Sequence, residues 1–268
     1  MTLADIPRLG LGTSGRNNPD GPAAIVRAVA AGFRHIDTAQ NYGTEEMVGA
    51  AIANSGLGRD AFFVTTKVAD HRLDRDDFLR SVPESLARLG MDQVDLLLVH
   101  WPNEAFPFEG YMTALAEAQQ RGWTKLIGVS NFTIRHLEEA RVLLGDDALA
   151  TNQIEIHPFL QVPKLRDYAR DRGLTLTAYQ PLAKATVGAD PVMQRIGEKH
   201  GVPASTISLA FLMAEGHIVI PASGNEQHLR DNLRAPEVRL DADDMAAIRR
   251  LDRGGRRINP AKSPKWDD

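Results

Sequence analysis

The 268-residue chain contains no cysteine. Disulfides, thiolate nucleophiles and cysteine-held metal sites are therefore excluded, and a reducing compartment suits the composition. Basic excess is lacking too: 31 Lys and Arg stand against 35 Asp and Glu, a formal net charge of -4, so no global positive field draws nucleic acid or an anionic membrane. No apolar run approaches the ~18 residues of a membrane span. The opening MTLADIPRLG has neither the basic nor the apolar region of a secretory leader. Metal-ligand spacing such as H-E-x-x-H is missing, so His35, His71, His157, His200 and His217 read as structural and no metal is expected. Low-complexity segments, charge blocks and linkers are absent as well. These absences point to one cytoplasmic domain spanning residues 1–268 that acts on small molecules and needs no obligate protein partner.

What is present is alternation. Short apolar runs at 8–12, 34–37, 62–67, 94–100, 125–130, 151–157, 174–179 and 217–221 read as strands. Amphipathic stretches such as RDDFLRSVPESLARLG separate them, and TEEMVGAAI offers Thr44 as an N-cap with acids in the first helical turn. Eight strands, seven intervening helical segments and a closing helix in DADDMAAIRRLD predict a (β/α)8 barrel, with a doubly wound open sheet as the alternative. One feature favours the open sheet: GLGTSG at 10–15 is formally G-x-G-x-x-G, with Asp37 near the offset of a dinucleotide fingerprint. However, RNNPD and GP intervene before any helix, so no helix N-terminus stands ready for a pyrophosphate. The glycines read instead as places where the first strand's backbone approaches a ligand closely.

A barrel places its active site at the C-terminal ends of the strands. Those ends carry Asp37, Lys67, His100, Ser130 with Asn131, Gln153 with Glu155, Tyr179 with Gln180, and Ser223, whereas the opposite ends show no such row. Tyr42 lies just after the second strand. A phenol is a weak acid unless a cation favours its anion; Lys67 can supply that cation, and Asp37 can hold the lysine charged. His100 can donate to a carbonyl oxygen. With no cysteine and no Ser-His-acid motif, the nucleophile is expected to be a hydride borrowed from a cofactor. Each residue alone has a plainer reading: an ion pair for Asp37 and Lys67, packing for Tyr42, a satisfied core histidine for His100. All four at one rim outweigh those readings.

At these residues the chain resembles the aldo-keto reductases, in the bacterial branch with the diketogluconate and methylglyoxal reductases. GFRHIDTAQNYGTEEMVG, VDLLLVHWP, IGVSNF, NQIEIHPFLQ and VIPASGNEQHLRDNL carry the resemblance in order over nearly the whole chain. It implies an NAD(P)H-dependent reduction of aldehydes or ketones, with Tyr42 as general acid, Lys67 and Asp37 tuning it and His100 orienting the carbonyl. It further implies Ser130, Asn131 and Gln153 on the nicotinamide carboxamide, Tyr179 against the ring, and Thr13 and Asp37 near the ribose. Gln180, Leu182 and Ala183 would flank the pyrophosphate, and Ala222, Ser223, His228, Asp231 and Asn232 the adenosine end. Many members hold the 2′-phosphate with a lysine and an arginine where Ala222 and His228 stand here. NADPH with unusually competitive NADH is therefore expected, although Arg230 or Arg234 can reach in. Relatives often carry bulky aromatics where this chain has Ser14 and Ala69, which predicts a widened pocket walled by Trp101 and Trp266. A Schiff-base lyase using Lys67 and a cofactor-holding module without turnover are the alternatives.

Overall fold

The computed structural model describes residues 6–267; residues 1–5 and Asp268, which the single-domain expectation also spans, lie outside the described residues. Strands β1 (Gly10–Gly12), β2 (His35–Asp37), β3 (Phe63–Val68), β4 (Val94–Val99), β5 (Thr124–Ser130), β6 (Leu149–Glu155), β7 (Thr175–Tyr179) and β8 (Ile218–Val219) form one parallel sheet in sequence order. A parallel Leu9–Val219 bridge and the Gly12 amide donating to the Pro221 carbonyl at 2.9 Å bring its ends together. The expected (β/α)8 barrel is therefore the fold. Its strands are buried on both faces, which is why β4, VDLLLV, is apolar but for Asp95, whose buried carboxylate pairs with Arg59 at 2.6 Å and Lys125 at 2.7 Å.

The glycines of β1 answer to this closure. A Cβ on Gly12 would stand 2.8 Å from the Ile220 carbonyl oxygen, and one on Gly10 2.8 Å from the His35 ring. Neighbouring strands and side chains impose the requirement, and Gly12 also lines a cleft, the approach to a ligand that the sequence reading expects of this strand. No helix follows directly, since α1 (Gly21–Ala31) begins only after a turn at Ser14 and Gly15.

Helices α2 (Glu45–Ala53), α3 (Arg75–Leu89), α4 (Phe108–Gln120), α5 (Ile134–Leu144) and α6 (Pro163–Asp171) each fill one crossover. The seventh expected segment is instead two helices, α7 (Pro191–His200) and α8 (Ala204–Ala214). Gly201 turns the chain at φ 63°, and Pro203 cannot donate a backbone bond to continue the first helix. After β8 come α9 (Glu226–Leu233) and α10 (Ala242–Arg249). Thr44 does precede α2, but its hydroxyl makes no cap bond. It meets Thr38 Oγ1 at 2.8 Å and Thr13 Oγ1 at 3.0 Å, because a buried hydroxyl takes the partners the barrel interior offers.

His217, at the opposite end of the barrel from the rim just described, is 5% exposed. Burial first, then the charges of Arg166 and Arg8, lower its pKa to about 4. The neutral form is thus favoured in the fold. Its contribution is complete above the ordinary histidine range and is lost as pH falls from about 6.5 toward 4, a loss of about 3 kcal/mol from this group. Urea midpoints at pH 7 and pH 4.5 should therefore converge in His217→Gln relative to the unaltered protein; an unchanged gap would remove His217 as a source of acid sensitivity.

Candidate active site

Strand register builds the site. Asp37, the last residue of β2, pairs across from Thr65, two positions before Lys67 on β3. Lys67 Nζ donates to Asp37 Oδ1 at 2.5 Å and to the Thr38 carbonyl at 2.9 Å, with the lysine wholly buried and the aspartate 1% exposed. The other carboxylate oxygen accepts from Gln153 Nε2 at 2.7 Å, reaching across the barrel from β6. Tyr42 ends a single 3-10 turn, Gln40–Tyr42, and Gly43 in the left-handed region lets the chain double back into α2. This turn lays the tyrosine ring 4.9 Å from Lys67 Nζ and its hydroxyl 3.4 Å from His100 Nε2.

Electrostatics set the protonation states. Burial pushes the Tyr42 hydroxyl above its ordinary value; Lys67 opposes this and Asp37 adds to it, while Lys67 and Ser14 lie within hydrogen-bonding reach of the phenol. Burial alone would lower Lys67, but the Asp37 carboxylate and the Tyr42 hydroxyl together outweigh it and the ammonium is held above its usual range. His100 lies well below the ordinary imidazole range through burial, helped by Lys67 and Lys262. At neutral pH the site thus contains a protonated phenol, a charged lysine and a neutral imidazole. Among the described residues, buried His100 Nδ1 has no hydrogen-bond partner, and the ring's hydrogen bond is to the phenol at Nε2. Such a lysine is a poor amine nucleophile, and it does not line the cleft, which tells against the Schiff-base alternative.

The rim opens into a cleft of about 1270 Å³. It is lined by Tyr42, His100 and Trp101 from the segments after β2 and β4, by Ser130, Asn131, Gln153 and Tyr179 at the ends of β5, β6 and β7, and by Ala222, Ser223, His228 and Asn232 after β8. Ser14, Asp37, Gln180 and Leu182 also line it. The wall from β5 to β7 is cross-braced. Tyr179 OH donates to Asn131 Oδ1 at 2.8 Å, Asn131 Nδ2 to the His100 carbonyl at 2.9 Å, and Ser130 Oγ to the Gln153 carbonyl at 2.7 Å. Asn131 takes φ 63°, a left-handed conformation that asparagine tolerates and β-branched residues do not.

Other expected residues lie one layer back. Thr13 is buried and donates to the Asp37 carbonyl at 3.0 Å. Ala183 packs with Phe159 and Val187, and Asp231 Oδ1 accepts from Gln227 at 3.1 Å. Trp266 packs edge-on against Trp101 at 6.1 Å. Ala69 is 1% exposed and away from the cleft; Gln40 Oε1 accepts its amide at 2.9 Å, and the Gln40 amide is fixed in turn by Ser81 and Ser85. Ala69 is therefore not among the residues that line the cleft, and it does not widen it as the sequence reading expects. Conversely, Lys184, Ala185, Gln194 and Glu198 line the cleft unannounced, as do Ile258 and Pro260 of the C-terminal tail.

The dimensions and the donor set suit a dinucleotide. A drug-sized ligand needs about 300–1,000 Å³, so this cleft has room for a carbonyl compound and an extended cofactor end to end. The ends of β5, β6 and β7 present amide and hydroxyl groups beside an aromatic ring, and the lining also takes in the loops after the last strands, where barrels commonly hold phosphate. Fold and site together define an oxidoreductase that reduces carbonyl groups with a nicotinamide cofactor.

The aldo/keto reductase family profile matches residues 8–253. Methylglyoxal reductase DkgB of Salmonella typhi is 42% identical over 265 residues, spanning 98% of this chain and 99% of that protein. A crystal structure described as a 2,5-diketo-D-gluconic acid reductase B superposes with a TM-score of 0.93 at 41% identity, covering 99% of this chain and 95% of that one. The structure of an aldo-keto reductase complexed with NADPH matches at a TM-score of 0.89 and 30% identity, covering 98% of this chain and 89% of that one. The chain belongs to the aldo/keto reductase family: it is an NAD(P)H-dependent enzyme acting on small carbonyl compounds. No described helix is long and apolar enough to cross a membrane.

Proposed function

We propose that Tyr42 delivers a proton to the carbonyl oxygen, with Lys67 and Asp37 behind it and His100 orienting the substrate. The observation that carries this reading is the Tyr42 hydroxyl on the cleft at 3.4 Å from His100 Nε2, its ring flanked by the buried Lys67–Asp37 pair. When bound, a reduced nicotinamide supplies the hydride to the carbonyl carbon. Burial keeps the phenol protonated until negative charge develops on the substrate oxygen. The phenolate left behind is then favoured by Lys67, which Asp37 prevents from losing its own proton. Neutral His100 donates to the same oxygen without competing as an acid.

For the cofactor, we assign Ser130, Asn131 and Gln153 to the carboxamide, Tyr179 to the ring, and Asp37 to the ribose end with Thr13 supporting it from behind. Gln180 and Leu182 belong to the pyrophosphate, and Ala222, Ser223, His228 and Asn232 to the adenosine, with Ala183 and Asp231 backing these two stretches from the layer behind. Dependence on a reduced nicotinamide also supports reading the protein as cytoplasmic.

NADPH and NADH compete closely in this proposal. Ala222 and His228 supply no permanent charge. The nearby arginines are engaged elsewhere: Arg230 pairs with Glu226 at 2.8 Å, and Arg234 donates to the Gly201 carbonyl at 3.3 Å. Arg16 and Arg27 approach from the other side, with Arg16 Nη1 3.1 Å from the position a Cβ on Gly224 would take and Arg27 Nε donating to the Gly224 carbonyl at 3.0 Å. A charged hydrogen bond is worth about 1.5–3 kcal/mol, so Ala222→Lys with His228→Arg should raise the NADPH to NADH ratio of kcat/KM at least about tenfold, chiefly through cofactor KM. A native preference for NADPH above about 10³-fold would show that another cation, Arg16 first, already reads the phosphate.

The names of the relatives, methylglyoxal and diketogluconic acid reductases, support small 2-oxoaldehydes and keto-sugar acids as the substrate class. Ser14, exposed on the cleft, leaves space for bulkier carbonyls. Cofactor oxidation measured by absorbance against aldehydes, ketones and ketosugars of increasing size tests both points. Absence of turnover across the panel would sink the assignment, and exclusion of the larger carbonyls would sink the spacious pocket.

A further inference from the structure

Glu155 stands at the C-terminal end of β6, two residues beyond Gln153, and takes no part in the chemistry above. Its side chain is completely buried, yet it makes no ion pair with Lys or Arg among the described residues. Three N–H donors surround it instead. The backbone amides of Arg257 and Ile258 donate to Oε1 at 2.7 Å and to Oε2 at 2.8 Å, and His157 Nε2 lies 3.0 Å from Oε1. The Phe159 amide donates to His157 Nδ1 at 3.2 Å, so that nitrogen is unprotonated and the ring's proton sits on Nε2, directed at Glu155.

A buried carboxylate is costly unless its oxygens are filled by donors, and two of these donors come from a tail more than a hundred residues away in sequence. That tail crosses the mouth of the cleft. Ile258 and Pro260 line the cleft, and Trp266 reaches Trp101, the residue after His100. Arg257 also spans to the far lip, where its guanidinium donates to Thr186 Oγ1 at 3.2 Å. Thr186 closes a loop in which Gln180, Ala183, Lys184 and Ala185 all take positive φ. The outer moorings of the tail are exposed or lie at its end: Lys262 pairs with Asp70 at 2.7 Å, and Asp267 accepts the Ile134 amide at 2.9 Å. Glu155 is the only carboxylate described that holds the tail's backbone beside the two cleft-lining residues.

We infer that Glu155 is a positioning residue for the carbonyl site: its carboxylate fixes residues 257–258 so that Ile258 and Pro260 form a wall of defined shape against substrates large enough to reach them. The inference rests on the cleft being the carbonyl site. A small aldehyde, held at Tyr42 and His100, does not extend to that wall; a bulky ketone does, and loses apolar contact when the wall is loosened.

Glu155→Gln preserves the shape but turns an amide N–H toward groups that are themselves donors. The expected result is a KM for bulky ketones raised about tenfold, the equivalent of losing burial of part of one apolar side chain, with kcat and KM for a small aldehyde within about twofold of the unaltered enzyme. Tryptic cleavage after Arg256, Arg257 and Lys262 should accelerate in the same variant, with cofactor affinity by fluorescence titration little changed. Glu155→Asp keeps the charge but withdraws it by one methylene; it should give the same split and serves if the glutamine variant does not fold. Equal changes for large and small substrates, or a tail no more sensitive to trypsin in the folded variant, would overturn the inference. Failure of both variants to fold would also overturn it, since Glu155 would then be a folding requirement and not a wall-setting residue. If the reading of the cleft were at fault instead, Tyr42→Phe would retain activity whatever Glu155 does.

Discussion

Tyr42→Phe should lower kcat for carbonyl reduction by about 10²- to 10⁴-fold, the range that a positioned general acid contributes. The ring remains to fill its place beside Lys67 and only the proton is removed, so NADPH affinity measured by fluorescence should stay within about threefold. Stability should move by no more than about 1 kcal/mol, because the hydroxyl's hydrogen bond to His100 is long at 3.4 Å and Lys67, also within its reach, keeps its bonds to Asp37 and the Thr38 carbonyl. Steady-state kinetics with a fast aldehyde substrate supply the check; a variant keeping more than half of the native kcat with chemistry rate-limiting would remove Tyr42 from the role.

Lys67→Met should affect both activity and stability. The lysine is wholly buried and its main partner is a buried carboxylate, so its loss strands a charge whose remaining hydrogen-bond donor among the described residues is Gln153 Nε2. Breaking such a pair from one side costs about 3–5 kcal/mol. Activity should fall at least about 100-fold as the phenolate loses its cation. The double replacement Lys67→Met with Asp37→Asn separates the two effects. With both charges gone, stability should return to within about 2 kcal/mol of the native protein, while activity stays low. Recovery of activity in the double variant would mean that the pair serves the fold alone.

Much of this site was legible before any coordinates because barrel chemistry stands at strand ends. Asp37, Lys67 and His100 each close or directly follow an apolar run, and strand order alone makes them neighbours. Ser130, Asn131, Gln153 and Tyr179 continue the same row, and all four line the cleft. What escaped depends on distances that sequence does not carry. Glu155 shows itself as a strand-end acid, but the amides that fill it lie beyond α10, in a stretch with no helix or strand pattern. Lys184 and Ala185 line the cleft from positive-φ positions that neither residue type signals, since glycine and asparagine are the usual markers of that conformation. Nearness in sequence to Lys67 suggests a pocket position for Ala69, but it is buried behind the rim with its amide held by Gln40 and does not line the cleft. The division of one expected helix into α7 and α8 was written in Gly201 and Pro203, whose spacing allows a break without demanding one.

The central claim is that this cleft joins hydride transfer to proton delivery by Tyr42. It is tested most directly in a single turnover with NADPH carrying deuterium at the transferring position, the product being analysed by mass spectrometry. The native enzyme should place one deuterium on the carbinol carbon, whereas Tyr42→Phe, with cofactor bound to the same extent, should form labelled product at least about 100-fold more slowly. Labelled product formed at the native rate by the phenylalanine variant, or product without label from the native enzyme, would contradict it.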